Sequence, residues 1–351
     1  MTQDCRIAVV GYGLVGRRHA DVVRRTPGLS LAGIVEPGDV ARKEAARSGT
    51  PVFAELEAML EDLRPEGVVL ATPTPLHRVQ ALQCISRSIP VLIEKPIAVS
   101  VVEALDIVQA SNAADIPVLV GHHRRYNGMV SAAKAAVVRG DLGAVRAVQA
   151  TCWFYKPDSY FDEAPWRKQP GAGPISVNLV HDIDLLQHLC GKVAQVYAVA
   201  VPARRGYANE DLATAVLTFA SGAVGSITVS DAVVSPWSWE LTAGENPVYP
   251  ATLESCYQIG GSEGGLSLPD LRIWRHQDTS DWWRPISATS LTAERPDPLV
   301  AQMVHFADVI AGRATPLVSA QDGMDALQVV EAIATSAAKG CSVEIPGVGA
   351  A

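Results

Sequence analysis

The sequence predicts an α/β chain of two domains: a parallel β–α domain first, then an α+β domain with an open, mostly antiparallel sheet. Three observations carry this. Over residues 1–124 short apolar runs alternate with amphipathic stretches, the pattern of right-handed βαβ crossovers feeding a parallel sheet. Beyond Arg125 strand-like segments follow one another with few helices between them, which favours antiparallel pairing. The chain has 351 residues, 48% hydrophobic and 19% charged. That is too long for one ordinary core and too apolar for a disordered chain.

Taken in order, Arg6–Val10 reads as a strand and Leu14–Arg25 as a helix. Leu31–Glu36 is a second strand, followed by a helix over Val40–Ser48. A short strand at Val52–Phe53 and a helix over Leu56–Leu63 come next. Gly67–Ala71 is a buried strand, Leu76–Ser86 a helix, Val91–Ile93 a strand, Val102–Ala113 a helix and Val118–Val120 a strand. In the second domain, residues 125–351, a helix over Met129–Arg139 stops at Gly140. A long strand, Val145–Tyr155, precedes an irregular aromatic segment. One helix, Ile175–Leu189, ends at Gly191, a residue suited to a C-cap. Strands are expected at Val193–Val201, Ala213–Phe219, Val224–Ser230, Ser238–Ala243, Ser255–Ile259 and Leu271–Trp274, with turns at Ser221-Gly222 and Gly260-Gly261. Helices over Leu299–Ala311 and Ala320–Ala338 close the chain and are candidates to pack back on the first domain.

Bulk properties exclude several classes. The formal net charge is −8 and no run of five Lys and Arg occurs, so no nucleic-acid partner is expected. No apolar run reaches the ~18 residues of a membrane span, and the N-terminus lacks a secretory pattern. The six cysteines are scattered without a CxxC, which argues against a disulfide framework and a zinc site. His122 and His123 are adjacent, and His181 and His188 lie two turns apart; neither spacing suits a metal pair. A cytoplasmic protein with a small-molecule substrate and no metal is the expectation.

Gly11-Tyr12-Gly13-Leu14-Val15-Gly16 is a G-x-G-x-x-G that follows a strand and opens a helix. That context marks a dinucleotide turn. Gly11 permits the turn, Gly13 lets backbone approach a pyrophosphate, and Gly16 allows helix to pack on strand. The free N–H groups of the helix start face the diphosphate. The first domain is therefore read as a Rossmann dinucleotide-binding domain. Glu36 ends the second strand, 20 residues after Gly16. A carboxylate there accepts hydrogen bonds from the ribose hydroxyls and repels a 2′-phosphate, favouring NAD. Arg42, a turn further on, leaves NADP open.

Three further segments carry chemistry. Ala71-Thr72-Pro73-Thr74-Pro75-Leu76-His77 and Glu94-Lys95-Pro96 each follow a strand, where open α/β sheets bind ligands. His181-Asp182-Ile183-Asp184 lies within a helix. With the glycine turn and Gly121-His122-His123-Arg124-Arg125, these motifs resemble, in order and along essentially the whole chain, the Gfo/Idh/MocA oxidoreductases. The resemblance implies NAD(P)-dependent hydride transfer at a secondary alcohol or ketone of a sugar, cyclitol or related polyol. It places Thr72, His77, Glu94 and Lys95 beside the cofactor, with Lys95 also beside the reacting hydroxyl. An ammonium there stabilises a developing alkoxide. Relatives often carry a cis bond before the proline that matches Pro96. His181 matches the family's general base, a role suited to imidazole. Asp184 shares its helix face and is placed to orient it; Asp182 points about 100° away, as a structural or interdomain group.

One departure stands out. Inositol-dehydrogenase-like members have Asp four residues before the histidine, and Val177 stands there in this sequence. The nearest polar residue is Asn178, which hydrogen-bonds but is no base at neutral pH. On the substrate side, Arg124, Lys156, Tyr160, Trp166 and Arg167 offer cations and aromatic faces suited to hydroxyls, carboxylates and ring C–H surfaces. The resemblance further implies a homodimer or homotetramer built on the second sheet. Rival readings are a glycoside hydrolase using NAD transiently, a dihydrodiol-type dehydrogenase and a non-catalytic NAD-binding regulator.

Overall fold

The computed structural model describes residues 4–349. The first stretch alternates strictly: β1 (Cys5–Val10), α1 (Leu14–Arg25), β2 (Leu29–Val35), α2 (Asp39–Ala46), β3 (Val52–Phe53), α3 (Leu56–Leu63), β4 (Gly67–Leu70), α4 (His77–Ile85), β5 (Val91–Ile93), α5 (Val101–Ala114) and β6 (Val118–Val120). The second is richer in strands: α6 (Gly128–Val138), β7 (Val145–Trp153), α7 (Asp158–Asp162), α8 (Pro174–Val177), α9 (Leu179–Cys190), β8 (Val193–Pro202), β9 (Glu210–Phe219), β10 (Val224–Ser230), α10 (Trp239–Thr242), β11 (Tyr257–Gly261), β12 (Gly265–Leu268), β13 (Arg272–Arg275) and β14 (Ser287–Ser290). α11 (Pro298–Ile310), α12 (Ala320–Lys339) and β15 (Val343–Glu344) close the chain. Two units result. The first runs to Tyr126 and takes in Pro296–Leu327; the second holds Asn127–Arg295 and the chain from Gln328 on.

The first unit is a six-stranded parallel sheet in the order β3-β2-β1-β4-β5-β6. Its central strands are continuous apolar runs because both faces are covered. Ile7, Val9, Leu92 and Leu119 pack on one face against Met303 and Phe306 of α11. Val10, Leu70, Ile93 and Val120 pack on the other against Met59, Ile107 and the start of α12. The order reverses between β1 and β4, the switch point at which such sheets bind ligands.

The second unit is a nine-stranded sheet in the order β14-β13-β12-β11-β7-β10-β9-β8-β15. It is mostly antiparallel, with β7 and β10 pairing in parallel. Burial alternates along β8 and β9, as in a sheet with one covered face. Gly191 adopts φ 99° and its N–H bonds the Gln187 carbonyl at 3.0 Å, ending α9 where the sequence places the stop.

Several expectations need correction. Ser238–Ala243 is helical at its centre, α10, and not a strand. Ser238 Oγ accepts from the Leu241 N–H, and that N-cap overrides an alternating pattern which reads as a strand. The single helix over Ile175–Leu189 is two, α8 and α9, meeting at Asn178. Gly260-Gly261 end β11, and the turn falls on the next three residues. The strands β12, β14 and β15 are too short, or too poor in β-branched residues, to stand out in the sequence.

Candidate active site

In a parallel sheet every strand delivers its carboxyl end to one edge, and the sequence motifs of the first unit lie along that edge. Ala71 N–H bonds the Val10 carbonyl at 2.8 Å, Glu94 N–H the Leu70 carbonyl at 2.9 Å, and Gly121 N–H the Ile93 carbonyl at 2.7 Å. The glycine turn leaves β1 at the switch point. Gly11 has φ +88°, and a Cβ on Gly16 would lie 1.9 Å from the Gly11 carbonyl oxygen; neither position admits a side chain. Gly13 differs: a Cβ there would meet nothing within 4 Å. The backbone is bare on that side, and Gly13 caps α1 with no side-chain hydrogen bond. Leu14, 88% exposed, continues the open surface. A bare glycine and uncapped N–H groups at a helix start fit a dinucleotide diphosphate.

Glu36 stands beside this turn. Its Oε2 accepts from Tyr12 N–H and its Oε1 from Gly38 N–H, both at 2.8 Å. The carboxylate is thus fixed between the glycine turn and the start of α2, the position from which an acidic residue reaches a ribose. Arg42 pairs with Asp39 and donates to the Pro37 carbonyl at 3.0 Å, so its charge is engaged by its own helix start.

The E-K-P turn is held from beneath. His19 Nε2 lies 2.6 Å from Glu94 Oε1, and Lys95 N–H donates to Glu94 Oε2 at 3.2 Å. Burial raises the Glu94 carboxyl, but the His19 hydrogen bond and the charges of His19, His123 and Lys95 outweigh it and hold the group at about 2. The Lys95–Pro96 bond is cis. His77 is buried, with Nδ1 3.0 Å from the Pro96 carbonyl and Nε2 2.9 Å from that of Thr72. Burial lowers its pKa, and a neutral imidazole donates to one carbonyl at a time. His77 therefore braces the A-T-P turn to the E-K-P turn, where the sequence reading has it touching cofactor. Thr72 Oγ1 donates to Gln80 Oε1 at 2.6 Å. Arg124 is buried in the turn after β6; its neighbour Arg125 donates to the Leu317 carbonyl at 3.1 Å.

The second unit presents the histidine. Asn178 forms the joint between α8 and α9, and its carbonyl accepts from His181 N–H at 3.2 Å. His181 is 8% exposed, and Asp182 and Asp184 are buried. Tyr257 Oη donates to Asp182 Oδ1, so Asp182 is tied into its own sheet. Gly173 precedes α8. A Cβ there would lie 2.2 Å from the Glu210 carboxylate, which accepts from Ile175 N–H at 3.0 Å. Burial raises the Glu210 pKa.

Lys156 and Asn178, assigned to different tasks on sequence grounds, meet. Lys156 is 6% exposed; its Nζ donates to Asn178 Oδ1 at 2.8 Å and lies 3.6 Å from Asp231 Oδ2. Arg205 closes the cluster, 3.3 Å from Asp231 Oδ1 and 2.8 Å from the Lys156 carbonyl. Burial pulls the Lys156 ammonium below its usual value and pushes the Asp231 carboxyl above its own. Tyr160 lies between cations, with Lys156 Nζ 5.1 Å and Arg167 Cζ 3.9 Å from its ring centre. Arg167 also bonds the Tyr160 carbonyl at 2.6 Å and Glu163 at 3.1 Å. Trp166 is 57% exposed. Sequence reasoning missed His19, Asp231 and Arg205. Nothing local marks them, since each acts on a partner more than 20 residues away.

Comparison with known proteins covers both units. A family model described as an oxidoreductase family, NAD-binding Rossmann fold, matches residues 5–122, and one described as the GFO/IDH/MocA C-terminal domain matches 130–267. An inositol 2-dehydrogenase from Rubrobacter xylanophilus is 32% identical over 76% of this chain and 71% of its own. Another from Leifsonia xyli is 30% identical over 62% of each, so the match spans about three fifths of that relative's length. The WlbA dehydrogenase from Bordetella pertussis, solved with NADH and UDP-GlcNAcA, superposes with a TM-score of 0.80 at 25% identity. That match covers 98% of this chain and 99% of that one.

Proposed function

Because the chain belongs to the Gfo/Idh/MocA family of oxidoreductases, we propose that it is an NAD-dependent dehydrogenase acting on a secondary alcohol of a sugar, cyclitol or related polyol. The observation that carries the reading is one edge of one sheet. The bare Gly13 turn, the anchored Glu36 and the E-K-P turn all lie at the carboxyl ends of β1, β2 and β5. NAD, when bound, supplies the hydride acceptor.

The chain's own residues do the rest. The α1 N–H groups and Gly13 hold the diphosphate, and Glu36 holds the adenine ribose. Lys95 stabilises charge on the reacting oxygen. Thr72, His77 and Glu94 keep the two turns in place around it. His181 takes the substrate proton in oxidation and returns it in reduction, with Asp184 on the same helix face to orient the ring. Arg124, Tyr160, Trp166 and Arg167 contribute to substrate binding. Two copies or more assemble on the second sheet.

The test separates chemistry from cofactor binding. Lys95→Ala and His181→Ala should each lower kcat by about 10²- to 10⁴-fold, the usual range for lost acid–base groups. The Kd for NAD+, measured by fluorescence titration, should stay within roughly twofold, since the diphosphate and ribose are held by the glycine turn and Glu36 and not by Lys95 or His181. Full turnover in either variant rejects the assignment.

A further inference from the structure

We propose that Asn178 sets substrate specificity, its amide oxygen locked by Lys156 so that its N–H faces the substrate and takes the carboxylate of a polyhydroxy acid. This rests on the dehydrogenase reading for the identity of the pocket. The argument begins with what each group is able to do. An ammonium has three donors and no acceptor. The atom of Asn178 that faces Lys156 Nζ at 2.8 Å is therefore the carbonyl oxygen, and the amide cannot flip without setting donor against donor. The lock is rigid on its far side as well. Lys156 is buried, faces Asp231 at 3.6 Å and lies against the Tyr160 ring.

The consequence falls on Nδ2. Among the described residues nothing accepts from it, and Asn178 is half-buried, not sealed. It lies one turn before His181 on the same helical path, joined to it by the Asn178 carbonyl. The pocket beside the histidine thus offers a hydrogen-bond donor. An aspartate there would offer only acceptors. A hydroxyl rotates to suit either, so it does not distinguish them. A carboxylate only accepts, and it is the group the two residues treat most differently. Lys156 adds to the effect: a cation on the amide oxygen polarises the group and strengthens its N–H as a donor, and donors to anionic oxygens make the stronger bonds. Lys156 is then a positioning residue and Asn178 the residue that touches substrate.

The test is equilibrium binding to the NADH-loaded protein by titration calorimetry, with acids and polyols that carry no ketone or aldehyde for NADH to reduce and so do not turn over. The pairs are D-gluconate with D-glucitol and L-tartrate with L-threitol, each differing by carboxylate against hydroxymethyl. The wild type should bind at least one acid about tenfold or more tighter than its polyol. Asn178→Asp, which pairs with Lys156 and so keeps the fold, should abolish that preference while the polyol Kd moves less than about threefold. Lys156→Gln, able to donate or accept, frees the amide to flip and should reduce the preference without removing it. No preference for either acid in the wild type, or an unchanged preference in Asn178→Asp, overturns the proposal; an unchanged preference in Lys156→Gln overturns the lock. NADH formation is scored separately. Acid preference without turnover retires the dehydrogenase reading alone, and turnover of polyols without acid preference retires this one alone.

Discussion

Glu36 and Glu94 are both carboxylates at the ends of parallel strands, yet their surroundings give them different work. Glu36 keeps each oxygen on a backbone N–H of a neighbouring loop and retains lone pairs for ribose hydroxyls. Its charge opposes a 2′-phosphate, so the KM for NAD+ should be below that for NADP+. Glu36→Ala should narrow the ratio of the two by about tenfold, a change of ~1.4 kcal/mol in discrimination; steady-state kinetics with both cofactors measures it. Glu94 is half-buried, bonds His19 and is held at about 2 against a usual value of 4.5. A depressed carboxyl stabilises the fold fully above its unfolded pKa, and the contribution disappears as pH falls through 4.5 towards 2. The loss should approach about 3 kcal/mol. Thermal unfolding followed from pH 6 down to about pH 3 should show a steep acid limb in the wild type and a flatter one in Glu94→Gln. Equal limbs would remove Glu94 from the stability account. Glu36, Glu94 and Lys95 are legible in the sequence because each lies within a few residues of a strand end and a Gly or Pro. His19, Asp231 and Arg205 are not, because their partners are remote in sequence and a lone His, Asp or Arg carries no spacing signal.

At the scale of elements, the joint at Asn178 is the feature that period and capping rules do not foresee. The apolar spacing of Ile175–Leu189 is continuous, so it reads as one helix. The break is seen in the bonding: His181 N–H turns to the Asn178 carbonyl, three residues back in place of four, while Glu210 reaches from β9 to the start of α8 and satisfies the Ile175 N–H beside Gly173. Gly173→Ala should therefore displace Glu210 and disturb the His181 helix, costing about 1–3 kcal/mol as an overpacked site and lowering turnover with it. Chemical denaturation beside kinetics reads both. α10 teaches the converse lesson. A four-residue helix with one Ser cap overrides an alternating pattern, and Ser238→Ala should cost about 1 kcal/mol in the same denaturation experiment with no change in KM. By contrast, the strands and helices of the first unit were legible almost to the residue, since glycine turns, apolar runs and amphipathic helices all point the same way there.

Across the whole molecule, the sequence separates the two sheets by what lies between their strands, helices in the first and few in the second, and burial in the structure follows, continuous along β4 and alternating along β8. The strand order of the second sheet was not legible, because pairing between strands leaves no mark in a single chain. One face of that sheet exposes Tyr197, Val199 and Val201 of β8 beside Val216 of β9, an uncharged apolar stripe of the kind that marks subunit contacts. Val199→Glu with Val216→Glu should shift the proposed oligomer towards monomer by light scattering while each unit keeps its fold; a wild type already monomeric would contradict the assembly. The central claim, that the edge carrying Gly13, Glu36 and Lys95 serves alcohol oxidation, is tested most directly by following NADH absorbance when the protein meets NAD+ and a panel of cyclitols, sugars, polyols and sugar acids. The account predicts NADH in equal amount with an oxidised product for at least one compound, formed about 10²- to 10⁴-fold more slowly by Lys95→Ala. Tightly bound NAD+ with no net NADH, and free sugar released from a glycoside instead, would contradict it.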